Sequence, residues 1–160
     1  SDALFVDLKA EFDNLYADYL QEAVLLSLAG LLAIVVLLAA TLRSPRRLAA
    51  VLLPLLVAVA FVIAGLHLLG ERLHLLHLIG MLLIVAVGSN YALFFDRLAA
   101  ARDPATLASL AVANLTTAIG FGTLALSQVP VLHAIGVTVG PGAILALLLS
   151  AIFVGRAGTP

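Results

Sequence analysis

Cysteine is absent from this chain and charged residues are scarce. The absence of cysteine excludes disulfide bonds and thiolate chemistry. Charged residues make up only 11% of the 160 residues, whereas hydrophobic residues make up 64%, and the mean hydropathy is +1.22. A soluble domain needs many more charged groups on its surface than this composition supplies. The composition therefore predicts an integral membrane protein.

Catalytic and cofactor motifs are also lacking. The sequence has no HExxH motif, phosphate-binding loop, Ser-His-Asp arrangement or basic patch for nucleic acid. Its four histidines are His67, His74 and His77, around one turn, and His133 near the start of the last apolar run. A metal or haem site there is one interpretation, but no cysteine or carboxylate accompanies them at ligand spacing. We expect interfacial histidines, and neither an enzyme, a metal, a cofactor nor a nucleic-acid partner.

Five apolar runs organise the chain. Each is about as long as the twenty or so residues that cross a bilayer of about 30 Å, and they are residues 23–42, 48–69, 75–95, 107–127 and 132–154. Residues 1–22 precede them, with an apolar stripe at helical spacing and acidic residues between. The sequence predicts an all-α membrane protein: an amphipathic helix (1–22), a five-helix transmembrane domain (23–156) and a C-terminal tail (157–160).

The cations predict an orientation. Six arginines occupy the loops on one side and the C-terminus, whereas the other side has only Lys9 and Arg72. By the positive-inside rule, the C-terminus lies in the cytoplasm and the N-terminal helix lies outside, in the periplasm of a bacterial inner membrane protein. Because the chain begins with Ser1 and no signal-peptide pattern precedes the acidic segment, we expect a fragment or a processed piece.

Polar side chains interrupt the third and fourth apolar runs at a similar depth. Ser89, Asn90 and Tyr91 follow one another in the third run, with Asn90 about 10 Å along the helix from Arg97. Asn114 and Thr117 share a face of the fourth run. An unpaired amide in hydrocarbon is costly, so such groups usually face a bundle interior or a water-filled path. The five side chains predict either a polar network for ion transport or simple hydrogen bonding within and between helices.

Small residues predict close packing in the third and fifth runs. Gly136 and Gly140 form a GxxxG pattern, and Gly88 gives the third run a small face. Helix pairing is the usual role of GxxxG, and a hinge is the functional alternative. The sequence Gly140-Pro141-Gly142 predicts a break near the centre of the fifth helix.

Taken in order, these motifs resemble a known family. An outside helix, an arginine-rich loop, the segment from Gly88 to Arg97 (GSNYALFFDR), and Thr116-Thr117-Ala118-Ile119-Gly120-Phe121-Gly122 follow one another along the chain. This order is similar to the C-terminal transmembrane half of exporters of the resistance-nodulation-division (RND) superfamily, MMPL type. The resemblance implies five of twelve spans, with an N-terminal half and two periplasmic domains elsewhere, and membrane lipids and a hydrophobic or lipid-like substrate as partners.

One position departs from the family pattern. Exporters of this type place an Asp-Tyr pair where this chain has Asn90-Tyr91, and the aspartate relays protons. An amide does not titrate near neutral pH, so the resemblance implies that the other half supplies the carboxylate and that Asn90 and Tyr91 orient it. The resemblance implies a proton-driven exporter half, and the alternative is a five-helix lipid-binding module similar to a sterol-sensing domain.

Overall fold

The chain folds into five α-helices, as seen in a computed structural model that describes the backbone of residues 2–71, 73–98 and 104–157 and the side chains of 18–71, 73–96 and 104–154. The helices are α1 (Asp2–Leu42), α2 (Pro45–Leu68), α3 (Leu75–Leu98), α4 (Pro104–Leu124) and α5 (Pro130–Ala157). No strand occurs in these ranges. Each helix contains a segment long and apolar enough to cross a membrane, which confirms the predicted all-α, multi-pass architecture.

Prolines and left-handed turns set the helix boundaries. Pro45, Pro104 and Pro130 begin α2, α4 and α5, where proline's missing N–H is no loss because the first helical N–H groups have no partner inside the helix. Arg43 (φ 48°) lies between α1 and α2, and Gly70 (φ 75°) follows α2. Glycine suits the second turn because it reaches positive φ without steric cost.

Helix α5 holds the bundle together. It packs on α3, α4 and α2, while α1 packs on α3 and α2. Within their most apolar segments, 44% of α5 is buried but only 6% of α4 and 6% of α1. Two apolar clusters fill the interior, one around Leu55 and Ile84, the other around Leu38 and Val51. One side of α4 and most of the Asp18–Leu42 part of α1 are therefore uncovered by the described residues.

The predicted N-terminal helix and the first apolar run form one helix. Helix α1 runs without a break from Asp2 to Leu42, and its apolar span extends over Asp18–Leu42. The predicted apolar stripe of the N-terminal helix falls mainly on residues 3–17, whose side chains lie outside the described set, as do most of the cations behind the predicted orientation.

The predicted break in the fifth helix is wrong. Helix α5 continues through Gly140-Pro141-Gly142 to Ala157. Proline removes one backbone N–H and crowds the carbonyl four residues earlier, but neighbouring helices tolerate this in membrane bundles. Here the two glycines lie against neighbours on either side of Pro141: Gly140 against Gly122 of α4, and Gly142 against Ile84 of α3. The helix is thus continuous, and closely packed on both neighbours, where the local sequence predicts a break.

Candidate functional site

Asn114 is the buried polar side chain that joins two helices. It is 3% exposed on α4, and its Nδ2 donates to the backbone carbonyl of Ala143 on α5 at 2.9 Å. A side-chain amide in hydrocarbon must find such a partner or leave its donor unsatisfied. Its observed role is thus the hydrogen bonding between helices that the sequence left as one of two alternatives.

Around Asn114 the backbones of α4 and α5 come close together. An added Cβ on Gly136 would lie 2.2 Å from the backbone N of Ala125, and one on Gly140 would lie 3.4 Å from the backbone N of Gly122. The approach at Gly136 is open only to glycine, whereas that at Gly140 is an ordinary van der Waals distance. We define the α4–α5 seam by these contacts and Asn114; its members are Asn114, Ala118, Gly122, Gly136, Gly140 and Ala143. The GxxxG pattern serves packing within this chain.

Asn90 has the opposite environment. It is exposed on α3, eleven residues after Ile79, a spacing that puts both on one helix face. Ile79 is 45% exposed. Asn90 lies six residues before Asp96, about 9 Å along the helix axis and well inside the apolar span. We call the face that carries Ile79 and Asn90 the open face of α3.

The neighbours of Asn90 point elsewhere. Ser89 and Tyr91 are each 7% exposed, inside the bundle. Ser89 Oγ donates to Ala86 O of its own helix at 2.8 Å. Gly88 is also interior, since an added Cβ would lie 2.6 Å from Leu55 and 2.9 Å from Ala146. Asn90 and Tyr91, which the resemblance pairs, therefore occupy different sides of α3.

Thr117 completes the predicted set, and it bonds locally. Its Oγ1 donates to Ala113 O, one turn earlier in α4, at 3.0 Å. Helix α4 packs mainly on α5, and α3 packs on α5 as well, so α5 is the helix that they share. The structure gives Asn114 an interhelical bond, gives Ser89 and Thr117 bonds within their own helices, buries Tyr91 and exposes Asn90.

A groove between α1, α2 and α3 was not anticipated from the sequence. It has a volume of about 220 Å³, and Ser27 is the one polar residue among those that line it. Val24, Leu28 and Leu56 at its edge are 41%, 59% and 58% exposed, so the groove opens at the surface of the bundle. Such a shape accepts an acyl chain or another apolar group. Hydropathy cannot reveal it, because every residue involved looks like an ordinary lipid-facing residue.

An ion pair at one end of the bundle also escaped sequence analysis. Arg47 at the start of α2 donates to both carboxylate oxygens of Asp96 near the end of α3, with Nε 3.1 Å from Oδ1. The two residues are 49 positions apart, so no local pattern links them. The Asp96 side chain is 13% exposed and that of Arg47 is 54% exposed. This bidentate pair ties α2 to α3.

No group of three or more histidine, cysteine or acidic residues among the described residues is arranged to hold a metal ion. Comparison with protein-family models, with curated proteins and with solved structures gives no match.

Proposed function

We propose that this chain is the C-terminal membrane half of a proton-driven secondary exporter of a hydrophobic or lipid-like molecule. The observation that supports it best is the exposure of Asn90 inside an apolar span. Facing lipid tails, its amide would have no hydrogen-bond partner, at a cost on the order of a few kcal/mol. A second protein surface with a polar group removes that cost. The open face of α3 is therefore the proposed contact with the other half.

In this proposal Asn90 holds an ionised carboxylate that the other half supplies. An amide both donates and accepts, so it stabilises the charged form of a neighbouring acid without titrating itself. Tyr91 is the next residue in the sequence but is buried inside the bundle. In this proposal it packs α3 against its neighbours and does not lie on the open face. The hairpin between α2 and α3 lies in the periplasm, and the arginine-rich loops lie in the cytoplasm, by the positive-inside rule.

Reconstitution of residues 1–160 alone tests the half-transporter proposal. We expect no movement of a hydrophobic substrate when a proton gradient is imposed, because the carboxylate is missing. In the protein that contains both halves, Asn90→Leu should slow export and shift its pH dependence upward, since the partner acid loses a hydrogen bond to its charged form. Transport by the isolated chain, or wild-type export by Asn90→Leu at every pH, would contradict the proposal.

The matched control for this experiment is Thr116→Val. Thr116 is also an exposed polar residue in an apolar span, but its Oγ1 already donates to Val112 O of its own helix at 2.9 Å. Its replacement should leave export unchanged. Equal losses in both variants would indicate a general packing defect rather than a role for Asn90.

Topology is tested with single cysteines, because the natural chain has none. A cysteine at Asp2 should react with a membrane-impermeant thiol reagent in intact cells, and one at Ser44 should be protected. The reverse pattern would overturn the proposed orientation.

The groove supports a second candidate function, a lipid-binding module similar to a sterol-sensing domain. Its apolar walls on α1, α2 and α3 suit a lipid or sterol. Binding of such a ligand in the groove does not need a proton gradient. Collapse of the ion gradient separates the two functions: export stops, whereas labelling of the groove by a photoreactive sterol or fatty acid is unaffected. Met81→Trp, which fills the groove, should reduce that labelling if the groove binds lipid, while leaving Asn90 untouched.

A further inference from the structure

The end of the bundle that carries the α2–α3 hairpin (residues 69–74) has a histidine between two chain segments. His133, in the first turn of α5, has its Nδ1 2.6 Å from the carbonyl oxygen of Ala125, just beyond the end of α4. Its Nε2 lies 3.8 Å from Oε1 of Glu71 in the hairpin. The two side chains are 39% and 41% exposed, so water and protons reach both.

The Ala125 contact fixes the position of the ring proton. A carbonyl oxygen only accepts, so Nδ1 of His133 carries the hydrogen in this geometry. In the neutral ring, Nε2 then presents a lone pair toward the Glu71 carboxylate, and the two do not bond. Protonation adds a hydrogen at Nε2 and creates a charge-assisted interaction with Glu71 while the Ala125 bond stays in place. The second contact therefore depends on protonation, whereas the first does not.

Nearby His77 is arranged to stay neutral. Its Nδ1 accepts from the backbone N of His74 at 3.1 Å, so its own proton lies on Nε2. That Nε2 is buried and has no hydrogen-bond partner among the described residues. Protonation of His77 would break the bond from His74 and bury a charge. Of the two rings, His133 is the one that can gain a proton without losing a contact.

Other charged and titratable groups also lie at this end of the bundle. Helix α4 contributes none, and α5 contributes only His133 here. The hairpin contributes Glu71, His74 and Arg72, the last outside the described residues, and α3 contributes His77. Helix α1, which packs on α3 and α2, contributes Asp18, Tyr19 and Glu22 near its Leu20 contact with this end. His67 near the end of α2 is exposed. Glu71 is thus the described carboxylate within ion-pair distance of His133.

We propose that His133 is a pH-dependent latch: when protonated, it ties the Glu71 hairpin to the turn between α4 and α5. Helix α4 packs mainly on α5, and Ala125 just beyond its end lies close against Gly136. Protonation of His133 therefore adds a connection from the hairpin to a turn that is already packed on α5. Protonation of the ring in acidic solution closes the latch, because it supplies the hydrogen at Nε2. This role is independent of what the chain transports or binds.

Distance measurements between two spin labels test the latch. Leu69 in the hairpin and Leu126 after α4 are 79% and 86% exposed, and the chain has no cysteine of its own, so the pair Leu69→Cys and Leu126→Cys is labelled cleanly. In lipid nanodiscs, lowering the pH from about 8 to about 5 should raise the ratio of the shorter to the longer distance population about threefold, the scale of a half-exposed ion pair. An unchanged ratio would overturn the proposal.

Three variants locate the effect. Glu71→Gln and His133→Gln should both abolish the pH dependence, because one removes the carboxylate and the other keeps an amide donor but gains no charge. His67→Gln, which removes an exposed histidine outside the contact, should retain the wild-type response. Retention of the response in Glu71→Gln would refute the latch. Nitrogen NMR of neutral His133 gives an independent check: the hydrogen belongs on Nδ1, and a hydrogen on Nε2 would contradict the geometry.

Discussion

The α4–α5 seam and the open face of α3 each carry an asparagine inside an apolar helix, and they provide opposite environments for it. In the seam, Asn114 is buried and donates to Ala143 of α5. On the open face, Asn90 is exposed. From the sequence, the two asparagines lie at similar depth in their apolar runs, and an unpaired amide in hydrocarbon has the same free-energy cost at either position. The difference shows that the chain satisfies the amide of Asn114 internally and leaves that of Asn90 exposed. Under the proposed function, a surface beyond this chain supplies the partner of Asn90.

The largest expected loss of stability comes from adding a methyl group within the α4–α5 seam. Gly136→Ala places a methyl group 2.2 Å from the backbone N of Ala125, so α4 and α5 must separate. Overpacking of this kind costs about 3 kcal/mol or more when backbone rather than a side chain must move. Gly120→Ala is the matched control, because nothing lies within 4 Å of its added Cβ. Thermal unfolding in nanodiscs should show a large loss for Gly136→Ala and none for Gly120→Ala; equal stabilities would mean that the seam is not closely packed.

The asparagines give the next effect. Asn114→Leu removes the bond to Ala143 and should destabilise the chain by about 1 kcal/mol, the usual scale for an interhelical hydrogen bond in a membrane. Asn90→Leu removes an exposed amide and should leave the isolated chain unchanged or slightly more stable. Unfolding of the two variants in the same bilayer compares them directly. Greater damage from Asn90→Leu would reverse the comparison between the two regions.

The smallest effect tests whether a polar network extends along α4. Thr117→Val should change stability by less than about 0.5 kcal/mol, since the lost bond leads only to Ala113 of the same helix. Thr116→Val, whose hydroxyl also bonds within the helix, should behave alike. A loss for Thr117→Val as large as that for Asn114→Leu would instead place Thr117 in a shared network with Asn114.

The sequence was sufficient for the number and approximate limits of the helices, because bilayer thickness sets how long an apolar run must be. It was not sufficient to orient side chains around each helix. Ser89, Asn90 and Tyr91 are consecutive, so each side chain is rotated by about 100° around the helix axis from the one before. Only the packing of α3 on its neighbours decides which side of the helix is interior. The partner of Asn114 could not be predicted either, because Ala143 is 29 residues away in the sequence.

Pro141 is a second case in which the local sequence does not predict the structure. The local preference is to break the helix, yet α5 is continuous, with Gly140 packed against α4 and Gly142 against α3. The Arg47–Asp96 ion pair and the approach of Glu71 to His133 bring together residues distant in sequence, so no spacing pattern indicates them. Family resemblance supplied an expectation for Asn90 and Tyr91 as a unit, whereas the fold buries one and exposes the other.

The central claim is that Asn90 faces another protein surface when the chain is assembled. Spin labelling of Asn90→Cys measures this directly through collisions with molecular oxygen, which is concentrated in lipid tails, and the chain provides no competing thiol. In residues 1–160 reconstituted alone, the label should show the high oxygen accessibility of a lipid-facing site. In the proposed two-half transporter, oxygen accessibility at position 90 should fall sharply, while a label at Leu28 on α1, 59% exposed, should keep its value. Persistent high oxygen accessibility at position 90 in that protein would contradict the claim.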